Sequence, residues 1–133
     1  MNSCINGTLL KWHAGDWVRE ILLSFEEVVD LVGEHIYPCI APEDTQGHFY
    51  VYNRTEYTRN YDKFGLTADK ATIVLRAVSD DYDTSVTMAE YADAILSGEH
   101  TADDGIKITF RLVDSKEGFD DFKYYQDLFF AVE

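Results

Sequence analysis

Two hydrophobic periods coexist in this chain, and together they limit the folds that it can adopt. Between residues 17 and 32 apolar side chains recur at steps of three and four, which predicts an amphipathic helix. Asp16 is placed to cap its first turn, and Gly33 to end it in a left-handed conformation. Residues 71–79 instead alternate at a period of two, which predicts a strand. Because apolar helix and strand faces cover one another, we expect helices packed on a sheet.

The rest of the chain predicts further strands and one more helix. Thr87 and Glu90 have the spacing of a capping box, so a second helix is expected to begin there and to end at Gly98. Composition and alternation predict a short strand within 34–38 and longer strands at 48–61, 106–112 and 122–132. Loops are expected at 40–47, 62–69 and 114–121, while residues 1–16 are left as an irregular arm or a first short strand.

This order of elements predicts one domain over residues 1–133. The expected fold is α+β, with a mainly antiparallel sheet of about four to five strands and two helices packed on one face. A chain of 133 residues with 46% hydrophobic residues is long enough to bury a core without disulfides or a metal.

Charge narrows the classes of partner. The 25 acidic residues against 11 basic ones give a net charge of −14, which repels phosphate backbones. Specific nucleic-acid binding is therefore not expected, and the dispersed acids are interpreted as a solvated surface.

The expected lack of a targeting segment and the small number of cysteines predict synthesis in the cytoplasm. Neither a signal peptide nor a membrane span is expected from the sequence. Two cysteines, Cys4 and Cys39, do not form a disulfide framework and are expected to remain thiols.

Metal binding is the first chemistry to weigh. The best zinc candidates are Cys4, His13, His35 and Cys39, since thiolates and imidazoles suit that ion. Cys4 and His13 are widely spaced, however, and Pro38 prevents a regular helix from carrying His35 and Cys39. Ordinary histidines and buried thiols are the favoured interpretation, so no metal or cofactor is predicted.

Catalytic signals are likewise weak, and the chain is not predicted to be an enzyme. It contains no glycine-rich phosphate loop, nucleophile elbow or CxxC pair. Two carboxylate pairs are weighed as an acid and base for glycoside chemistry. Glu26 and Glu27 are adjacent on a predicted helix and so do not share a face, while Asp103 and Asp104 are interpreted as solvated loop residues. His48 and His100 have no partner identifiable in the sequence and are expected at the surface or at strand ends.

The segment 61–66 is the one feature that points to a contact site. It places Tyr61, Phe64 and Leu66 in a predicted loop, and exposed apolar clusters in soluble proteins often mark interfaces. The alternative is that the loop folds back and Phe64 joins the core. The first interpretation makes these three residues a candidate subunit interface.

A resemblance to a known family is carried by two short motifs. Gly33-Glu34-His35-Ile36-Tyr37-Pro38 is followed by a proline-containing loop and then by His48-Phe49-Tyr50-Val51-Tyr52. This pattern resembles the tail-completion, or tail-terminator-like, proteins of long-tailed bacteriophages and prophages. The order of later elements is also similar, although His48 stands where the family commonly has proline.

The resemblance implies a structural role without catalysis. Such proteins form a ring, usually of six subunits, that caps the tail tube and meets the head connector. The chain would then assemble in the host cytoplasm, reside in the virion tail and contact itself, the tube and the connector. DNA passes through such a ring, and an acidic lumen fits a channel that must not bind its cargo.

Two other classes of function remain open from the residues alone. One is a monomeric ligand-binding or small enzymatic α+β domain whose site forms only on folding. The other is an adaptor whose acidic surface meets a basic partner.

Overall fold

A computed structural model describes residues 11–43, 45–101, 105 and 107–133, apart from the side chains of Leu66 and Thr67. Within these residues three α-helices cover one face of a six-stranded sheet. The α+β class is confirmed, and the sheet has more strands and one more helix than expected.

The predicted helix 17–32 is two helices. A 3-10 turn, Lys11–His13, leads into α1, Ala14–Leu23, and α2 follows at Glu26–Val32. The break falls at Ser24, whose hydroxyl donates to the Ile21 carbonyl at 2.6 Å and so competes with helical bonding. The Asp16 cap was wrong because α1 begins earlier, whereas Gly33 does follow α2 with a φ of 60°.

The sheet is mixed, with the order β1-β2-β3-β6-β5-β4. Its strands are β1 Ile36–Pro38, β2 Phe49–Asp62, β3 Gly65–Ser79, β4 Gly98–Thr101, β5 Lys107–Asp120 and β6 Lys123–Val132. β1 runs parallel to β2 and every other neighbouring pair is antiparallel. The expected count of four to five strands missed β4, which has only four residues and no apolar alternation.

Two predicted loops are tight turns between long strands. β2 and β3 are joined by Lys63 and Phe64 alone, so the expected loop 62–69 was wrong. β5 likewise extends through most of the expected loop 114–121 and turns at Asp121 and Phe122. The segment 114–121 has a single large apolar residue, Phe119, and so shows no period of two in hydrophobicity, whereas 64–68 does alternate and was interpreted as a loop because of Asp62 and Gly65.

The third helix, α3, spans Tyr82–Leu96 and begins five residues before the predicted capping box. Asp81 caps it instead, because its carboxylate accepts from the Thr84 backbone N–H at 2.9 Å. The Thr84 hydroxyl also donates to this carboxylate at 2.8 Å, and the hydrogen bonds from the hydroxyl and from the backbone N–H together lower the pKa of Asp81. Gly98 opens β4 with a φ of 114° rather than ending the helix.

The core lies between the helices and one face of the sheet. Its largest fully buried side chains are Tyr50, Phe110, Phe130, Leu22, Ile36, Ile73, Leu75, Met88 and Leu96. The Tyr50 hydroxyl donates to the Met88 carbonyl at 2.7 Å, which satisfies its polar group, and burial raises its pKa. Helices on this side leave the opposite face of the sheet open.

Candidate subunit interface

The β2–β3 hairpin continues beyond its neighbours as a two-stranded ribbon. β1 pairs with β2 only as far as Tyr52, and β6 pairs with β3 only from Ala71 onward. Residues 54–70, which we name the arm, therefore pair mainly with each other among the described strands. An isolated two-stranded hairpin is marginally stable in water, so the arm needs support at its base and contacts along its length.

The arm tip presents an aromatic side chain to solvent. Phe64 is 85% exposed and Tyr61 is 65% exposed, so the alternative in which Phe64 joins the core is wrong. The Phe64 backbone N–H donates to the Asp62 carboxylate at 2.7 Å, which fixes the turn. Lys63 places its ammonium 5.2 Å from the Phe64 ring. Leu66 lies opposite Tyr61 in the pairing, and its side chain is outside the described residues.

A buried polar cluster supports the arm at its base. The Asp69 side chain is fully buried and accepts from the Lys11 ammonium at 2.8 Å, the Lys11 backbone N–H at 2.7 Å and the Tyr57 hydroxyl at 2.9 Å. Burial raises the pKa of Asp69, but these hydrogen bonds outweigh burial and the pKa is lowered. Arg59 donates to the Tyr57 hydroxyl at 2.9 Å, and this bond raises the pKa of Arg59.

Trp12 covers this cluster from the solvent side. Its ring stacks on Tyr57 with 4.1 Å between centroids, and the Arg54 guanidinium lies 4.5 Å from the Trp12 centroid. No local pattern in the sequence indicated this contact, because Lys11 and Asp69 are 58 residues apart.

A groove with a volume of about 980 Å³ lies on the open face of the sheet. Its floor includes Val51, Val74 and Val78, and residues 39–43 with 45–46 form one wall. The alternation of residues 71–79 already placed Val74 and Val78 on the face opposite the core. Apolar residues on an uncovered sheet face are typical of a contact surface.

Arg76 is a fixed cation in this groove. Arg76 donates to Asp127 through two hydrogen bonds of 2.7 and 2.9 Å, and its guanidinium lies 4.0 Å from the Tyr125 ring centroid. The hydrogen bond to Asp127 raises the pKa of Arg76. This geometry binds the guanidinium to groups of its own sheet, while 43% of the side chain stays exposed.

Charge is unevenly distributed between the arm and the rest of the chain. The arm has four basic residues, Arg54, Arg59, Lys63 and Lys70, against the three acids Glu56, Asp62 and Asp69. Its net charge is therefore +1, although the whole chain has −14. The remainder of the chain is accordingly the more acidic partner in any contact with the arm.

The residues weighed for metal binding do not converge where they are described. His13 contacts Asp16 at 3.3 Å, the His35 ring stacks on Tyr37, and Cys39 is an exposed thiol in the groove wall, contrary to the buried thiol expected. Cys4 lies outside the described residues. Within those residues no three His, Cys, Asp or Glu side chains gather as a metal site.

The residues weighed for catalysis have structural surroundings. Glu26 and Glu27 are exposed in the first turn of α2, and Asp103 and Asp104 lie outside the described residues. Each of the two histidines has a partner that the sequence did not reveal. His100 contacts the Leu96 carbonyl at 2.8 Å, and His48 contacts the Ser79 hydroxyl at 2.8 Å.

The His48–Ser79 pair braces the end of β3. Ser79 is fully buried, and its hydroxyl oxygen also accepts from the Asp81 backbone N–H at 3.0 Å. The hydroxyl therefore connects β2 to the start of α3 and is shielded from solvent.

No helix in the described part of the chain combines the length and apolarity needed to cross a bilayer.

Comparison with known proteins gives a likeness of fold. Neither a protein family model nor a curated protein matches the sequence. Among solved structures, a chain of the virion of a native gene transfer agent particle is similar, with a TM-score of 0.70 and 18% identity. The similarity covers 86% of this chain and 89% of that chain, so the two share a fold over nearly their whole lengths.

Proposed function

We propose that this chain is a structural subunit of a phage-like virion that forms a ring of six copies at the end of the tail tube and joins the tube to the head connector. The observation that carries the proposal is the fold shared with a gene transfer agent virion chain, at a TM-score of 0.70 over 86% of this chain. The motifs at 33–38 and 48–52, which resemble tail-completion proteins, favour this place in the particle. In this role the subunit catalyses no reaction.

The geometry supports assembly through two different surfaces. A ring needs head-to-tail contacts, in which one surface of a subunit meets a different surface of its neighbour. The exposed arm tip with Tyr61 and Phe64 is one such surface, and the open sheet face is a second. The net charge of −14 suits a lumen through which DNA passes without adhering. The subunit is made in the host cytoplasm and ends in the virion tail.

Disruption of the gene in a host that produces the particles tests this role. We expect electron microscopy to show heads and tail tubes that are not joined, with joining restored by a plasmid copy of the wild-type chain. Phe64→Ser should restore it poorly, whereas Val113→Ser, at another exposed apolar residue, should restore it fully. Intact particles made in the absence of the chain would overturn the proposal.

Assembly of the purified chain provides a second test. Repulsion between like charges opposes the approach of acidic subunits. Salt screens this repulsion, because the Debye length falls from about 8 Å at physiological ionic strength to about 3 Å at 1 M salt. Light scattering coupled to size-exclusion chromatography should therefore show a larger fraction of rings at higher salt. If the chain alone stays monomeric, the measurement is repeated with the tail-tube protein as a template. Failure to assemble both alone and with the tube would favour a monomeric ligand-binding domain.

A further inference from the structure

We propose that the groove on the open sheet face is the socket for the arm tip of a second copy of this chain, with Phe64 against the valine floor and Lys63 toward Glu43 in the groove wall. This inference rests on the proposed function, since it assigns the two surfaces that meet between ring subunits. The floor is formed by Val51, Val74 and Val78.

Shape and polarity match between the two surfaces. Phe64 is more exposed than Tyr61, at 85% against 65%, and it needs an apolar environment to bury its ring. The groove has an apolar floor and a volume of about 980 Å³, which accommodates a turn of several residues rather than one side chain.

The charges of the groove and of the arm also favour the arm tip of a second copy as the occupant of the groove. Glu43, Asp120 and Asp121 line the groove and form no ion pair among the described residues, whereas Lys123 is paired with Asp80 at 2.8 Å. The groove therefore keeps an excess of negative charge. The arm is the part of the chain with net positive charge, and Lys63 stands at its tip without a carboxylate partner in the described structure. Complementary charge of this kind fixes the partner and the orientation more than the affinity.

Geometry excludes the chain's own arm as the occupant. Phe64 and Val78 lie near opposite ends of β3, and at about 3.3 Å per residue they are on the order of 45 Å apart. An arm that leaves one end of the sheet cannot turn back into a groove near the other end while β2 and β3 stay paired. The contact then joins two copies, and because its two sides differ it repeats from copy to copy, which gives a ring when the rotation between copies closes.

Disulfide trapping tests the contact directly, because Cys39 already lies in the groove wall as an exposed thiol. Cys4 is replaced by serine, and Lys63→Cys is added at the tip. Under mild oxidation we expect covalent dimers and longer ladders, with the Lys63→Cys position linked to Cys39 in peptide mapping, because a disulfide requires Cα atoms within about 7 Å.

The matched control is Lys107→Cys in the same background, at an exposed lysine on β5. It should give at least tenfold less covalent dimer. Equal yields from the two variants, or links only between two Lys63→Cys positions, would overturn the socket.

A mixing experiment gives an independent outcome. Phe64→Ser removes the plug and Val74→Arg blocks the floor, so each variant alone should fail to assemble while its melting temperature shows that it is folded. Mixed together, they retain one intact arm and one intact groove, and should form dimers that grow no further. No dimer from the folded pair, under conditions where the wild type assembles, would overturn the inference and leave the proposed function standing. Normal particles without the chain would instead overturn the proposed function.

Discussion

Gly118 lies directly opposite Tyr125 in the β5–β6 pairing, and the Tyr125 ring fills the space that a Cβ on Gly118 would need. The same ring lies 4.0 Å from the Arg76 guanidinium, which in turn binds Asp127. A missing side chain on β5 therefore allows an aromatic ring on β6 to cover a cation on β3.

The first prediction follows from this contact. Gly118→Ala should displace the Tyr125 ring and lower the free energy of unfolding by about 1 to 2 kcal/mol, as overpacking does. Denaturant unfolding measures the change. In a Tyr125→Ala background the same substitution should cost much less, and an equal cost in both backgrounds would contradict the contact.

The second prediction concerns the pH dependence of the arm base. Because the pKa of Asp69 is lowered in the folded state, its ionised form contributes stability above the unfolded value of about 3.9, and this contribution is lost as pH falls through the folded pKa. Asp69→Asn should lower the free energy of unfolding by about 3 kcal/mol at neutral pH, as the loss of one partner of a buried pair does.

Unfolding of wild type and variant at several pH values measures this effect. The difference between the two should shrink steadily in acid below about pH 4. Tyr57→Phe removes one hydroxyl donor to Asp69 and keeps the Asp69 charge. It should lower the free energy of unfolding by less than Asp69→Asn does and should leave most of the pH dependence. A difference that is constant with pH would show that Asp69 acts through shape alone.

The third prediction concerns the β5–β6 turn. Asp121 and Phe122 have φ angles of 50° and 60°, a conformation that costs a non-glycine residue about 1 to 2 kcal/mol. Phe122 is 86% exposed and so gains little from packing. Phe122→Gly should therefore raise the free energy of unfolding by about 0.5 to 1 kcal/mol, whereas Phe119→Gly within β5 should lower it. Thermal melting distinguishes the two, and a loss of stability in both would contradict the strain.

The fourth prediction separates fold from association at the arm tip. Phe64→Ser should change the free energy of unfolding by less than about 0.5 kcal/mol, because Phe64 is 85% exposed. It should nevertheless weaken self-association, which sizing with light scattering measures. Val113→Ser is the control, and a collapse of the melting temperature in Phe64→Ser alone would place this ring in a stabilising contact within the subunit.

The fifth prediction is that double-stranded DNA is not bound measurably at physiological salt. The net charge of −14 provides no counterion release, and the arm's net charge of +1 is too small to compensate. A mobility-shift titration to micromolar protein measures this. Retardation that weakens steeply with salt would reveal a basic surface.

The sequence predicted those elements whose apolar period is visible locally. The alternation of 71–79 and the aromatic run at 122–132 both correspond to strands, and α3 was found although its start was wrong. The missed part of the arm begins at Gly65, beside the turn residues that favoured a loop, although Leu66 and Ala68 continue an apolar alternation. The missed part of β5 is a polar run that turns without a glycine at Asp121 and Phe122, so periodicity gives no signal there and backbone pairing with β6 holds the segment in place.

The candidate site was only partly predictable. Exposure of Tyr61 and Phe64 followed from their place in a turn region, whereas the groove depends on residues from β2, β3 and β6 that meet only in the folded sheet. Likewise, the cluster around Asp69 requires Lys11, whose contact with β3 has no counterpart in local sequence.

The ladder between β3 and β6 also constrains how the chain folds. The β2–β3 and β5–β6 hairpins each close through a two-residue turn and can form early, while Ser79 must find Tyr124, and Ala71 must find Val132, across an intervening helix and two strands. Closing that long loop costs entropy before its contacts compensate, which makes the joining of the two hairpins the slow step. A nascent chain released before β6 emerges would hold the β2–β3 hairpin with the inner edge of β3 unpaired, a template for aggregation until synthesis is complete.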